Sequence, residues 1–214
     1  MPVAVRAPKR ADPLSAVLAS GALARLVTHF AVRPDEAPHT RALQRATGLT
    51  SRSLQTELAR LERLGVVRRE ASGRHVRYAV NEQSPTWRLL RELVRELADP
   101  AEVVRDALSD VPGLEVAFVF GSMARGTDVR EGSDIDLFVL RGDLAEDRFA
   151  RRTLDAGVLL KREVNPVVMG NEELRARLSN ESGFIRAVLT EPKRWVAGNE
   201  RALRSALAGR AGER

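Results

Sequence analysis

The sequence predicts an α+β chain in two parts. Residues 13–83 read as helices closed by a hairpin, residues 84–100 as a connecting helix, and residues 101–214 as a mixed sheet flanked by helices. Three observations predict this. Charge is split: residues 1–80 hold 14 Lys/Arg against 6 Asp/Glu, and residues 81–214 hold 21 against 23. Apolar spacing of helical period fills the first part and ends in two short alternating runs. In the second part the apolar runs 116–120 and 137–140 bracket a polar stretch, as two strands bracket a loop.

Composition bounds the rest. The 214 residues suffice for two small domains, 43% hydrophobic content supports real cores, and 30% charged content fits a soluble protein. With no cysteine, disulfides and Cys-based zinc sites are excluded. His29, His39 and His75 are scattered, which argues against a histidine metal cluster. The basic start, residues 1–10, lacks an apolar stretch, and no window approaches a membrane span. The expected place is a bacterial-type cytoplasm, without membrane association. No repeats or low-complexity tracts occur. Residues 1–12 are expected to be disordered.

In the first part, Leu14, Val17, Leu18, Leu23, Leu26, Val27 and Phe30 predict one helix over 14–30, Gly21 notwithstanding. The prolines of 33–38 make a loop, and 40–46 reads as a short helix. Gly48 can supply positive φ in the turn that follows, and Thr50 or Ser51 can cap the next helix. That helix, 51–64, carries Leu54, Leu58 and Leu61 on one stripe, and Gly65 suits its end. Residues 66–70 and 75–80 alternate as a hairpin around Ser72-Gly73. Leu64 and Tyr78 are expected in the core, and His75 on the surface.

Helix, helix, turn, helix and basic hairpin is the winged helix-turn-helix order. Residues 43–80 resemble bacterial transcription regulators of the arsenic-repressor and multiple-antibiotic-repressor type, in the cadence Leu61-Glu-Arg-Leu64-Gly-Val-Val67 followed by a basic wing and a Tyr strand. The resemblance implies that 51–64 enters the major groove of double-stranded DNA. Ser51, Arg52, Ser53, Gln55, Thr56 and Arg60 would face bases or phosphates there. On the wing, Arg68, Arg69, Arg74 and Arg77 would hold phosphates or reach the minor groove. Winged helices also serve as protein–protein or dimer modules, and that alternative stays open. The sensor cysteines of metal-responsive relatives are absent, so cysteine-based sensing does not carry over. The helix over 84–97, with Trp87, Leu90, Leu93, Val94 and Leu97 at helical spacing, is expected to join two chains as a homodimer, or else to serve as a packing strut.

In the second part, 101–108 reads as a helix and Asp110-Val-Pro-Gly113 as a turn. The run Val116-Ala-Phe-Val-Phe120 leads straight into Gly121-Ser122, and Asp134-Ile-Asp136 opens the next apolar run. Glycine lets a phosphate approach the backbone, and Ser122 and the free amides beyond it can donate to phosphate oxygens. Asp134 and Asp136 leave one face of a strand, and two hard oxygen ligands suit Mg²⁺ shared with substrate phosphates. The alternative is a solvated Asp pair at a strand start.

The Gly-Ser turn, spacer and Asp-x-Asp resemble the DNA polymerase β-type nucleotidyltransferase superfamily. The form Gly121-Ser-Met-Ala-Arg-Gly126 is similar to its small, minimal members. The resemblance implies a nucleoside triphosphate on Gly121 and Ser122, with Arg125 and Ser133 beside it. Asp134 and Asp136 are then the catalytic pair and the ligands of Mg²⁺ or Mn²⁺, and the reaction is in-line attack on the α-phosphate with pyrophosphate leaving. Arg125 can equally be a solvated loop residue. The family supplies a third carboxylate from a later strand. Here the strand 162–169 carries Asn165 at that place, which cannot act as a base and ligates metal more weakly. Glu163 shares its face and would be the substitute, or an ordinary solvated charge. This Val-Asn-Pro strand resembles that of helix-turn-helix/nucleotidyltransferase fusions.

Further on, 144–155 reads as a helix, Asn171 as the cap of a helix to 178, 184–189 as a short helix, 195–198 as an apolar piece, and 200–208 as a helix fraying into the last residues. The leading expectation is a DNA-binding regulator carrying a nucleotidyltransferase that acts on a protein or small-molecule acceptor. A regulator whose second domain only senses nucleotide, or only supports a dimer, is the alternative. A third reading is an enzyme whose winged helix positions RNA or a protein substrate.

Overall fold

The computed structural model describes residues 12–72, 75–126, 133–179 and 183–208. The chain divides into two compact units, one of Met1–Thr28 and Ala37–Asp99, the other of His29–Glu36 and Pro100–Arg214. Among the described residues no helix is long and apolar enough to cross a membrane. The expected disorder of 1–12 and the fraying end at 209–214 lie outside the described residues, except for Asp12.

The first unit opens with α1 (Pro13–Leu18), whose start is capped by Asp12 accepting from the Ser15 amide at 3.0 Å. The single helix expected over 14–30 is two. Ala19 turns left-handed at φ 51°, and α2 (Gly21–Val32) begins afresh. The cause is Ser20, whose hydroxyl caps α2 by accepting from the Leu23 amide at 3.1 Å and donates to Glu57 at 2.6 Å. Helical periodicity survives the break because Leu14, Leu23, Leu26 and Val27 are all buried.

His39 caps α3 (Thr40–Thr47) through its Nδ1, and Gly48 ends it at φ 65°. Thr50 caps α4 (Ser51–Arg63), whose Leu54, Leu58 and Leu61 are fully buried. Leu64 is 49% exposed, against the expectation of a core residue. It is the C-cap of α4; Gly65 then turns at φ 67°, and Val66 and Val67 take the buried positions.

Strands β1 (Val67–Ser72) and β2 (His75–Val80) form the antiparallel hairpin. Asn81 ties its foot to the end of α4, donating to Gly65 O at 3.0 Å. Tyr78 is half-buried, and its amide donates to Pro38 O at 3.0 Å, so β2 is pinned along its outer edge by the loop before α3. Helix α5 (Pro85–Leu97) is capped by Ser84, buries Trp87 and Val94, and packs against α1.

The second unit has a four-stranded sheet in the order β5-β4-β3-β6, from β3 (Leu114–Val119), β4 (Ile135–Arg141), β5 (Val164–Gly170) and β6 (Arg194–Ala197). β4 and β5 run parallel, joined by α8 (Glu146–Leu160); β3 pairs antiparallel with β4 and β6. Helix α8 is longer than the 144–155 expected, because Ala156, Leu159 and Leu160 continue its buried stripe. The piece 195–198 falls on edge strand β6, which begins one residue earlier and ends before Gly198. Four residues are too few for alternation to show, and its partner β3 lies far back in the chain.

One face of the sheet, with Val116, Phe118, Phe120, Phe138, Leu140 and Met169, packs against α9 (Asn171–Ser179), α10 (Gly183–Thr190) and α11 (Glu200–Leu207). By alternation, Ala117, Val119, Leu137 and Val139 fill the other, on the side of α8 and α6 (Pro100–Leu108). Asn171 is not a cap: it is the first residue of α9, its Nδ2 donates to Glu115 at 3.2 Å, and its Oδ1 is buried without a partner.

The segment 29–36 belongs to this second unit. Arg33 is 4% exposed and closes the end of α6, donating to Asp106 Oδ2 (2.7 Å), Asp106 O (2.5 Å) and Ala107 O (3.1 Å). Asp110 receives both Arg33 (3.3 Å) and Arg152 (2.8 Å), and Arg152 also reaches Glu36 at 2.5 Å. Burial pushes the Asp110 carboxyl up, but Arg152 and Arg33 outweigh it and hold it below the usual range.

Candidate functional site

Strand β3 delivers its end to β4: the Phe120 amide donates to Asp136 O at 3.1 Å. Gly121 follows at φ 71°, a conformation that side chains with a Cβ rarely adopt. A Cβ there would also lie 2.7 Å from Asp136 Oδ2. The glycine at the turn is therefore required twice, by backbone angle and by the carboxylate beside it. From it starts the short helix α7 (Gly121–Arg125), closed by Gly126 at φ 68°, whose amide donates to Ser122 O at 3.1 Å.

On β4 the alternation works as the sequence implies. Ile135 is buried, with Asp134 just outside the strand and Asp136 within it. Asp134 is exposed and Asp136 half-buried. Burial first, and the Asp134 charge second, push the Asp136 carboxyl above its ordinary range, against a smaller pull from Arg125.

The parallel register sets Asn165 level with Asp136, and Asn165 Nδ2 donates to Asp134 Oδ2 at 3.2 Å. The amide thus occupies the place expected of a third acid. Glu163 accepts the Ile135 amide through its backbone oxygen at 2.8 Å, while the residue is exposed. Among the described residues no three of His, Cys, Asp and Glu gather into a metal-holding group.

Arg125 is not simply solvated. Its Nη1 donates to Glu191 Oε2 at 2.7 Å, beyond the end of α10. Ser133 is half-buried, and its carbonyl accepts from Arg162 Nη1 at 3.0 Å. Glu191 and Arg162 were missed in the sequence, since each reaches the site across the fold rather than through a motif.

The donor chemistry fits one divalent cation. Asp134 and Asp136, two residues apart, offer hard oxygens that would hold such an ion. It fits two such ions poorly, since the third position carries an amide that donates to Asp134.

In the first unit, Ser51, Arg52, Gln55, Thr56 and Arg60 are exposed along α4. Ser53 is half-buried, its hydroxyl accepting from Thr50 Oγ1 at 3.0 Å, and Thr56 Oγ1 donates to Arg52 O at 3.0 Å. On the hairpin, Arg68 donates to Asn81 Oδ1, Arg69 is exposed, and Arg77 Nη1 donates to Ala37 O at 3.3 Å. Arg74 lies outside the described residues.

Residues 102–191 match the family model described as Polymerase beta, Nucleotidyltransferase. That stretch is similar to nucleotidyltransferase domains, and it contains Gly121, Ser122, Asp134, Asp136 and Asn165. No curated protein matches the chain.

Proposed function

We propose that the chain is a DNA-binding transcription regulator whose second unit binds a nucleoside triphosphate with Mg²⁺ or Mn²⁺ and transfers a nucleoside monophosphate to a protein or small-molecule acceptor. The observation that carries the transferase reading is the approach of Gly121 to Asp136, with no room for a Cβ between them. Such closeness supports a reading in which a phosphate held by the Gly121–Ser122 turn lies beside the Asp136 carboxylate. Asp134 and Asp136 would hold the cation; when bound it supplies Lewis-acid polarisation of the α-phosphate and neutralises triphosphate charge. The Ser122 hydroxyl and the backbone amides of the turn orient the phosphate oxygens. Arg125 divides its charge between the triphosphate and Glu191. Ser133 stands just before the acid pair, held at its carbonyl by Arg162.

The DNA reading rests on the exposed polar face of α4, which follows a helix–turn ending in Gly48 and precedes a basic hairpin. In it, the chain reads paired half-sites as a homodimer, with α5 as the joining helix; its Leu89 is 69% exposed. A second reading keeps nucleotide binding without transfer, as a sensor attached to the regulator. Asn165 favours it.

Calorimetric titration of each nucleoside triphosphate with Mg²⁺, wild type against Asp134→Asn/Asp136→Asn, tests the nucleotide site. Metal-dependent binding that the double variant loses is expected. Absence of binding by folded wild-type protein would leave the DNA-binding reading alone.

A further inference from the structure

The place of Asn165 has a chemical consequence for what the site can accept. Its Nδ2 is 3.2 Å from Asp134 Oδ2, and its Cα is paired with that of Asp136. The amide satisfies a lone pair of Asp134 while adding no negative charge. Exposed Glu163 does not join Asp134 and Asp136 in a cluster, and among the described residues no other acid or histidine does. Arg125 brings positive charge to the same end of the sheet. Among the described residues the site therefore has two carboxylates, one nearby guanidinium, and no third acid to bind a second cation or to take a proton from an attacking group.

An alcohol attacking phosphorus must lose a proton, and a carboxamide cannot receive it. An oxyanion has no proton to lose. Its oxygen forms a bond to the α-phosphorus, the bond from that phosphorus to the oxygen bridging the α- and β-phosphates breaks, and the electron pair leaves with pyrophosphate. Nothing is oxidised or reduced, and no proton is transferred.

We propose that this site holds a single divalent ion with its nucleotide and transfers the nucleotidyl group only to acceptors already ionised at neutral pH, a phosphate monoester or a carboxylate. The proposal rests on the nucleotidyltransferase reading above.

The test counts ions and sorts acceptors separately. Electron paramagnetic resonance with Mn²⁺ and a non-hydrolysable triphosphate gives the number of ions per chain–nucleotide complex. An α-labelled triphosphate is then offered to phosphate monoester, carboxylate and alcohol acceptors in parallel. One ion is expected, with transfer to one of the two oxyanion arms at least ~10²-fold faster than to the alcohol, the scale a missing general base sets; the arm that reacts identifies the source of the oxyanion. Asn165→Asp should bring in a second ion and raise the alcohol rate by about 10²-fold. Asn165→Ala, which removes the amide without adding charge, should keep one ion, and Glu163→Gln should change neither readout. Two ions in the wild type, or an alcohol used as readily as an oxyanion, overturns the proposal. One ion with no transfer in any arm overturns the acceptor assignment and leaves a nucleotide sensor. No Mn²⁺–nucleotide binding by the folded chain brings down the nucleotidyltransferase reading itself.

Discussion

At the scale of single residues, Gly121 and Asp136 constrain each other. Gly121→Ala must bring its Cβ to 2.7 Å from Asp136 Oδ2 while keeping φ 71°. The left-handed conformation alone costs about 1–2 kcal/mol, and the displaced carboxylate should lower Mg²⁺-dependent nucleotide affinity at least tenfold by calorimetry. Asp136 carries the opposite lesson. Its raised carboxyl binds a proton more tightly in the folded chain than in the unfolded one. The stability it contributes is complete below the unfolded value and is lost as pH rises through the folded value. Its charge at pH 7 is thus unfavourable in the nucleotide-free protein. Asp136→Asn should raise the melting temperature at pH 7 by about 1–2 °C, and the gain should vanish near pH 4, while metal-dependent nucleotide binding is lost. The residues of this site were legible in the sequence where local pattern encodes them: a glycine at a strand end, and two acids of like parity. The partners Glu191 and Arg162 were not, because nothing within a few residues of them refers to the site.

At the scale of elements, helix α4 and the hairpin should separate sequence reading from charge. If α4 lies in the major groove, Arg52→Ala and Gln55→Ala each cost about 1–3 kcal/mol on the preferred sequence and little on unrelated DNA. Arg68→Ala and Arg69→Ala should weaken binding to all sequences alike and reduce the salt slope by about 1 each. Fluorescence anisotropy at several salt concentrations distinguishes the two classes; equal losses on all sequences for the α4 variants would remove α4 as the reading helix. Elements with a stripe and a cap, such as α4 with Thr50 and its three buried leucines, could be read from sequence almost to the residue. Two kinds escaped. The break at Ala19–Ser20 is hidden because both helices bury apolar residues at compatible spacing. Strand β6 is made by its neighbour β3, and a four-residue run offers no period to detect.

At the scale of the whole molecule, the second unit does not begin where the connecting helix ends. Arg33 is buried, and its hydrogen bonds go to the last turn of α6 and to Asp110. Arg33→Met takes the guanidinium from Asp106, leaving its carboxylate to His29, and removes a donor from the Asp106 and Ala107 carbonyls; it should destabilise this unit by about 3–5 kcal/mol. The chain has two tryptophans, Trp87 in the first unit and Trp195 in the second. Urea unfolding in a Trp87→Phe background follows the second unit, and an unchanged midpoint there would show that Arg33 is dispensable. The charge split in the sequence marked two parts but not this allocation. It treats residues 33–38 as a loop, and a loop read from its prolines says nothing of the segment to which it is bound. A single cut therefore does not separate the two units. A recombination crossing over at residue 99 would hand on strands, acids and the Gly-Ser turn, yet leave behind the octapeptide that completes them. A new front half grafted onto this domain is expected to need its own arginine at this buried place.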